Sequence, residues 1–160
     1  MTTWLSAFLI AAALTTNLEA QPRPDFTGTW TMDEKRSGSP SVPPFVGPVV
    51  WVIRQNDKEM VVDMKRADKT QTITYSLSEK APATKPTPAL HRGYFDEDQL
   101  VTETIQTIQG QTVTTREVRR LANDGREMSV ERIVEVEHGY TFKGAQNFST
   151  VKDIFTKAPQ

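Results

Sequence analysis

The chain has 160 residues, 37% of them hydrophobic and 24% charged. That suits one domain with one core, and is too little for a membrane bundle or for two well-filled domains. Basic and acidic residues nearly cancel (19 against 20), which excludes nucleic-acid binding driven by bulk positive charge, and the lack of cysteine excludes disulfides, thiolate metal sites and a thiol nucleophile.

The first segment reads as an address. Residues 4–14 form an apolar run of leader length, too short to cross a bilayer as a permanent helix. Ala20 supplies a small residue just before Gln21. The expectation is a signal peptide over 1–20, cleavage near Ala20-Gln21, and a periplasmic or secreted domain over 21–160. No second apolar run is long enough for an integral membrane span.

Beyond Gln21 the apolar period is two, the strand signal. Phe26, Gly28, Trp30 and Met32 alternate with Thr27, Thr29, Thr31 and Asp33. The run at 49–53 is continuously apolar and predicts a strand covered on both faces. Met60, Val62 and Met64 share one face of the next strand, and Ile73, Tyr75 and Leu77 one face of the strand after it. Short strands follow near 91–95 and 99–107, then two long ones near 111–121 and 126–136. A last strand spans 149–155. Polar turns at 55–58, 66–69, 96–98, 109–111 and 123–125 separate them, and Asp124-Gly125 is the strongest hairpin signal. Three connections are longer: 34–47, 78–89 with three prolines, and 137–148. The ends at 21–25 and 157–160 are expected to fray. The fold class is therefore all-β, a single antiparallel meander of about eight to nine strands that closes to remove its edges. With alternating directions throughout, 34–47 lies at one end and the other two long connections at the opposite end.

Gly28-Thr29-Trp30 at the head of this meander resembles the lipocalin and calycin superfamily. That resemblance implies a lipocalin-like barrel whose Trp plugs one end, with a basic residue of a late strand lying across its ring. A narrower likeness is to small exported bacterial proteins of unassigned function. It rests on the Asp25–Trp30 opening, Leu100-Val101-Thr102-Glu103-Thr104, Leu121-Ala122-Asn123-Asp124-Gly125 and Val130-Glu131-Arg132. The chain departs from it at Phe95, where a Trp is common, and at Arg119, where an apolar residue is usual. This resemblance implies fold and export and brings no chemistry with it.

The site candidates follow from parity. Arg132 shares a face with Met128, Val130, Val134 and Val136 and so points inward. It could anchor an anionic group of a ligand, stack on the Trp, or join an internal ion pair; a buried charge needs a partner. Glu103 (with Val101 and Ile105), Glu117 (with Val113 and Leu121) and Arg119 are placed by parity in the same inner cluster. Trp51 and Tyr75 are the aromatic candidates for lining a ligand. His91 and His138 read as separate loop histidines, so no metal is expected, and no phosphate-loop, nucleophile-elbow or EF-hand pattern is present. No cofactor is expected.

These observations point to an exported protein that binds a small, mainly apolar or amphipathic molecule. The alternative is a filled barrel acting through its outer surface as an envelope interaction or structural module. A hydrolase or isomerase using inner carboxylates ranks third.

Overall fold

A computed structural model describes residues 23–39, 47–78, 90–137 and 148–159. The expected leader, residues 40–46 of the first long connection, the Pro-rich connection and His138 lie outside the described residues. Among the described residues nine strands close a barrel in chain order. They are β1 (Gly28–Met32), β2 (Val50–Gln55), β3 (Glu59–Arg66), β4 (Lys69–Leu77), β5 (Leu90–Asp96), β6 (Gln99–Ile108), β7 (Gln111–Ala122), β8 (Glu127–Glu137) and β9 (Phe148–Lys157). Each lies where the period-two reading places it. No helix among the described residues is long and apolar enough to cross a membrane.

Closure is made by β1 and β9, with Trp30 opposite Lys157 and Met32 opposite Phe155. Past a turn that begins at Asp33, the chain returns to β9: Gly38 N–H donates to Lys152 O and Ile154 N–H donates to Ser37 Oγ. The seam thus extends beyond the short first strand.

The meander is not antiparallel throughout. β4 and β5 run parallel, Ser76 opposite Arg92 and Leu77 opposite Gly93. Strict alternation around a ring with an odd number of strands is impossible, so one neighbouring pair has to be parallel. Because β9 meets β1 antiparallel, that pair falls elsewhere. The shift has a consequence for the ends. The strand directions bring Met32, Val50, Glu137 and Phe148 to one end of the barrel. The first and third long connections therefore leave from the same end, here called the mouth, and not from opposite ends.

The other end is a filled floor. Phe26, Trp30, Trp51, Ile53, Met60, Leu100, Met128 and Phe155 form one buried cluster. Burying each such side chain is worth about 1.5–3 kcal/mol. Trp51 and Phe155 meet with ring centroids 4.4 Å apart. Trp30 is fully buried and donates Nε1–H to Phe26 O at 2.8 Å. The cation over its ring is Lys157, 5.2 Å from the centroid, and not Arg132. Gly28 permits this approach: it has φ +143°, and a Cβ there would stand 2.5 Å from Lys157 Cε. Lys157 and Ala158 are accordingly tied down rather than frayed. Lys157 N–H donates to Arg126 O and Ala158 N–H to Thr29 O.

On the outer face β2 is half-buried at Val50 and Val52 and exposed at Arg54, so the apolar run is fully covered only on its inner side. Across β5, β6 and β7 the outer face carries a second buried cluster of Tyr94, Val101 and Val118. The β7–β8 hairpin is closed by three successive positive-φ residues, Asn123, Asp124 and Gly125, types that accept this conformation.

Candidate functional site

β6, β7, β8 and β9 are the longest strands in the ring, and their register sets the polar centre. One inner row runs Leu100, Arg119, Val130 and Asp153, and the next runs Thr102, Glu117, Arg132 and Val151. Arg119 is fully buried. Its guanidinium carbon lies 5.4 Å from the Trp51 ring centroid and 5.8 Å from that of Tyr75. It donates through Nη1 to Thr102 Oγ1 and through Nη2 to Glu117 Oε2. Arg132 donates through Nε to Glu117 Oε1 at 2.8 Å, and its Nη1 stands 3.7 Å from Asp153 Oδ2. Asp153 also accepts from the backbone N–H (2.9 Å) and hydroxyl of Ser39. Both Glu117 oxygens are therefore taken by arginines. Burial pushes the Glu117 carboxyl up, but the charges of Arg119 and Arg132 and their hydrogen bonds outweigh it and hold the group below the usual carboxylate range. At neutral pH it is an acceptor with no proton to give.

A buried ion pair is costly unless every partner is satisfied. Here the aromatic faces of Trp51 and Tyr75 receive the Arg119 cation, a contact that strengthens when water is excluded. An apolar residue would fill the same space more simply, so Arg119 replaces hydrophobic bulk with a fixed charge at the heart of the barrel.

Toward the mouth the inner wall changes. The floor cluster is buried, with Leu77, Phe95 and Leu121 half-buried at its rim, and toward the mouth Met64, Ile73, His91, Thr104, Thr115 and Val134 are half-buried although they face inward. Arg132 belongs to this wall, with a side chain 29% exposed. His91 Nδ1 lies 3.1 Å from Thr104 Oγ1, and its ring meets Tyr75 edge-on with centroids 5.9 Å apart. The wall thus mixes apolar side chains with hydroxyl, imidazole and guanidinium groups, able to meet both the apolar body and a polar group of a small molecule.

Five of the six residues singled out in the sequence converge on this centre: Arg119, Glu117, Arg132, Trp51 and Tyr75. Glu103 does not. It lies on the outer face, where Arg92 Nε donates to it at 2.7 Å and Arg116 stands opposite. The sequence reading missed Thr102, Asp153 and Ser39. Thr102 was missed because the alternating Val101 and Ile105 made the other face of β6 read as the inner one, and the Ser39 contact depends on a fold-back across more than a hundred residues. Among the described residues no group of three or more His, Asp or Glu side chains is placed to hold a metal ion.

No family model matches the chain, and no curated protein matches it. Solved structures do. A crystal structure of a mutant of the fluorescent protein UnaG is 15% identical, covers 84% of this chain and 97% of its own, and has a TM-score of 0.50. Human cRBP IV is 13% identical, covers 84% of this chain and 99% of its own, and has a TM-score of 0.51. At such identities the likeness concerns the fold. Taken with the nine-strand closure, it shows a lipocalin-like β-barrel.

Proposed function

We propose that this is an exported barrel that holds a small, mainly apolar molecule non-covalently in the mouth-side half of its interior. The observation behind this reading is the gradient along the inner face. The floor cluster is buried apart from half-buried Leu77, Phe95 and Leu121 at its rim, and the inward-facing side chains of β3–β8 toward the mouth are half-exposed, which favours the mouth-side half as the place for a ligand. The neighbouring folds UnaG and cRBP IV support a closed barrel as the container. Export rests on the apolar run at 4–14 and on Ala20, which divides the chain into a leader over 1–20 and a barrel over 21–160.

Titration with Nile red, a neutral apolar dye, tests the binding. Saturable one-to-one binding with a blue-shifted emission is expected. Thr115→Trp, which places an indole in the half-open wall, should abolish it while leaving the thermal midpoint within a few degrees of the parent. Equal binding by parent and Thr115→Trp, or none by the parent, overturns the assignment. N-terminal sequencing of the protein from its own host should begin at Gln21; a retained Met1 would contradict export.

A further inference from the structure

The ligand's polarity is written in the charge balance of the barrel centre. Two guanidinium groups, Arg119 and Arg132, face two carboxylates, Glu117 and Asp153, with direct contacts that join all four. The group has no surplus charge. An anion placed against the Nη groups of Arg132 would lie beside both carboxylates, since Glu117 holds Nε and Asp153 stands near Nη1. A cation would face the two guanidinium groups. Either would enter a partly dry wall without a counter-charge of its own, which is unfavourable.

What the group does have in surplus is donors. Arg119 Nε is buried and has no hydrogen-bond acceptor among the described residues. Arg132 offers a partly exposed guanidinium whose Nη1 contact to Asp153 is a loose 3.7 Å. Five N–H donors per guanidinium against two carboxylates leave more hydrogens than acceptors. Thr104, Thr115 and His91 extend this polar strip toward the mouth beside Ile73 and Val134.

We infer that the mouth-side interior selects an uncharged apolar molecule bearing one hydrogen-bond acceptor, such as a carbonyl, ether or hydroxyl oxygen, placed against Arg132, and that it discriminates against anionic and cationic amphiphiles of the same size. The inference rests on the binding role proposed above and assigns the ligand class within it. The charged quartet thereby acts as a neutrality filter: its pairs stay closed to ions and the spare hydrogens of the partly exposed Arg132 stay open to neutral oxygen.

Displacement of Nile red by decanol, decanoate and decylammonium at neutral pH tests this directly. The three share one chain and differ in the charge of the head. Decanol should displace the dye with an affinity about tenfold or more above either ion, the equivalent of one factor of ten in Kd. Glu117→Gln removes a negative charge from the quartet and should shift preference toward decanoate. Arg132→Gln, at a more exposed position, removes a positive charge and should shift it toward decylammonium. Tightest binding of decanoate by the parent protein overturns the neutral-ligand assignment while leaving the binding role intact. Failure of the dye and of all three compounds to bind overturns both. If Glu117→Gln does not fold, the ranking on the parent protein and the Arg132→Gln shift still decide the matter.

Discussion

Glu117 is the residue on which most of the polar centre depends, because it accepts from both Arg119 and Arg132. Glu117→Ala leaves buried Arg119 without its carboxylate, with Thr102 as its remaining hydrogen-bond acceptor, and is expected to cost about 3–5 kcal/mol, the usual penalty for stranding one half of a buried pair. Urea denaturation measures it, and a loss under about 1 kcal/mol would mean the pair is not buried as described. The carboxyl's folded value lies below its ordinary 4.5. It therefore contributes stability that is present above that value and lost as pH falls through the folded value. Glu117→Gln should remove that part of the acid destabilisation, giving a shallower slope of stability against pH below 4.5 than the parent shows. Lys157 acts on a different ring. Lys157→Ala removes the cation from Trp30 and should cost about 0.5–1 kcal/mol, with a red shift in tryptophan emission.

At the scale of strands, the period-two reading located every element because each strand packs one face on a core. It misplaced Glu103 for a physical reason. On β6 the residues facing out are Val101, Glu103 and Ile105, and those facing in are Leu100, Thr102 and Thr104. The outward set is the more apolar because the outer face across β5–β7 is itself buried. Alternation alone then points the strand the wrong way round. The parallel β4–β5 pair was equally hidden: it arises from closing a ring of odd number, which no single segment encodes. Turn chemistry gives a testable case. Ala67, in the two-residue β3–β4 turn, has φ 55°, a conformation a Cβ disfavours. Ala67→Gly should stabilise the protein by about 0.5–1 kcal/mol after allowing for the greater freedom of the unfolded glycine, readable as a higher midpoint in urea.

For the molecule as a whole, the sequence made the container legible and its contents only in part. Gly28, Trp30 and the alternating strands specify closure, and the inward parity of Arg119, Glu117 and Arg132 was readable from β7 and β8 alone. That the charges cancel was not, since Asp153 and Ser39 join through contacts distant in sequence. The result is a barrel with a dense apolar floor, a neutral polar middle and a looser wall toward the mouth. Intermolecular nuclear Overhauser effects between unlabelled decanol and methyl-labelled protein test this most directly. Cross-peaks are expected to Ile73, Thr115, Val134 and Met64 inside the wall, with none to Val52, Val61 or Ile133 on the outer face. Cross-peaks confined to the outer methyls would contradict an interior site and the neutral filter with it.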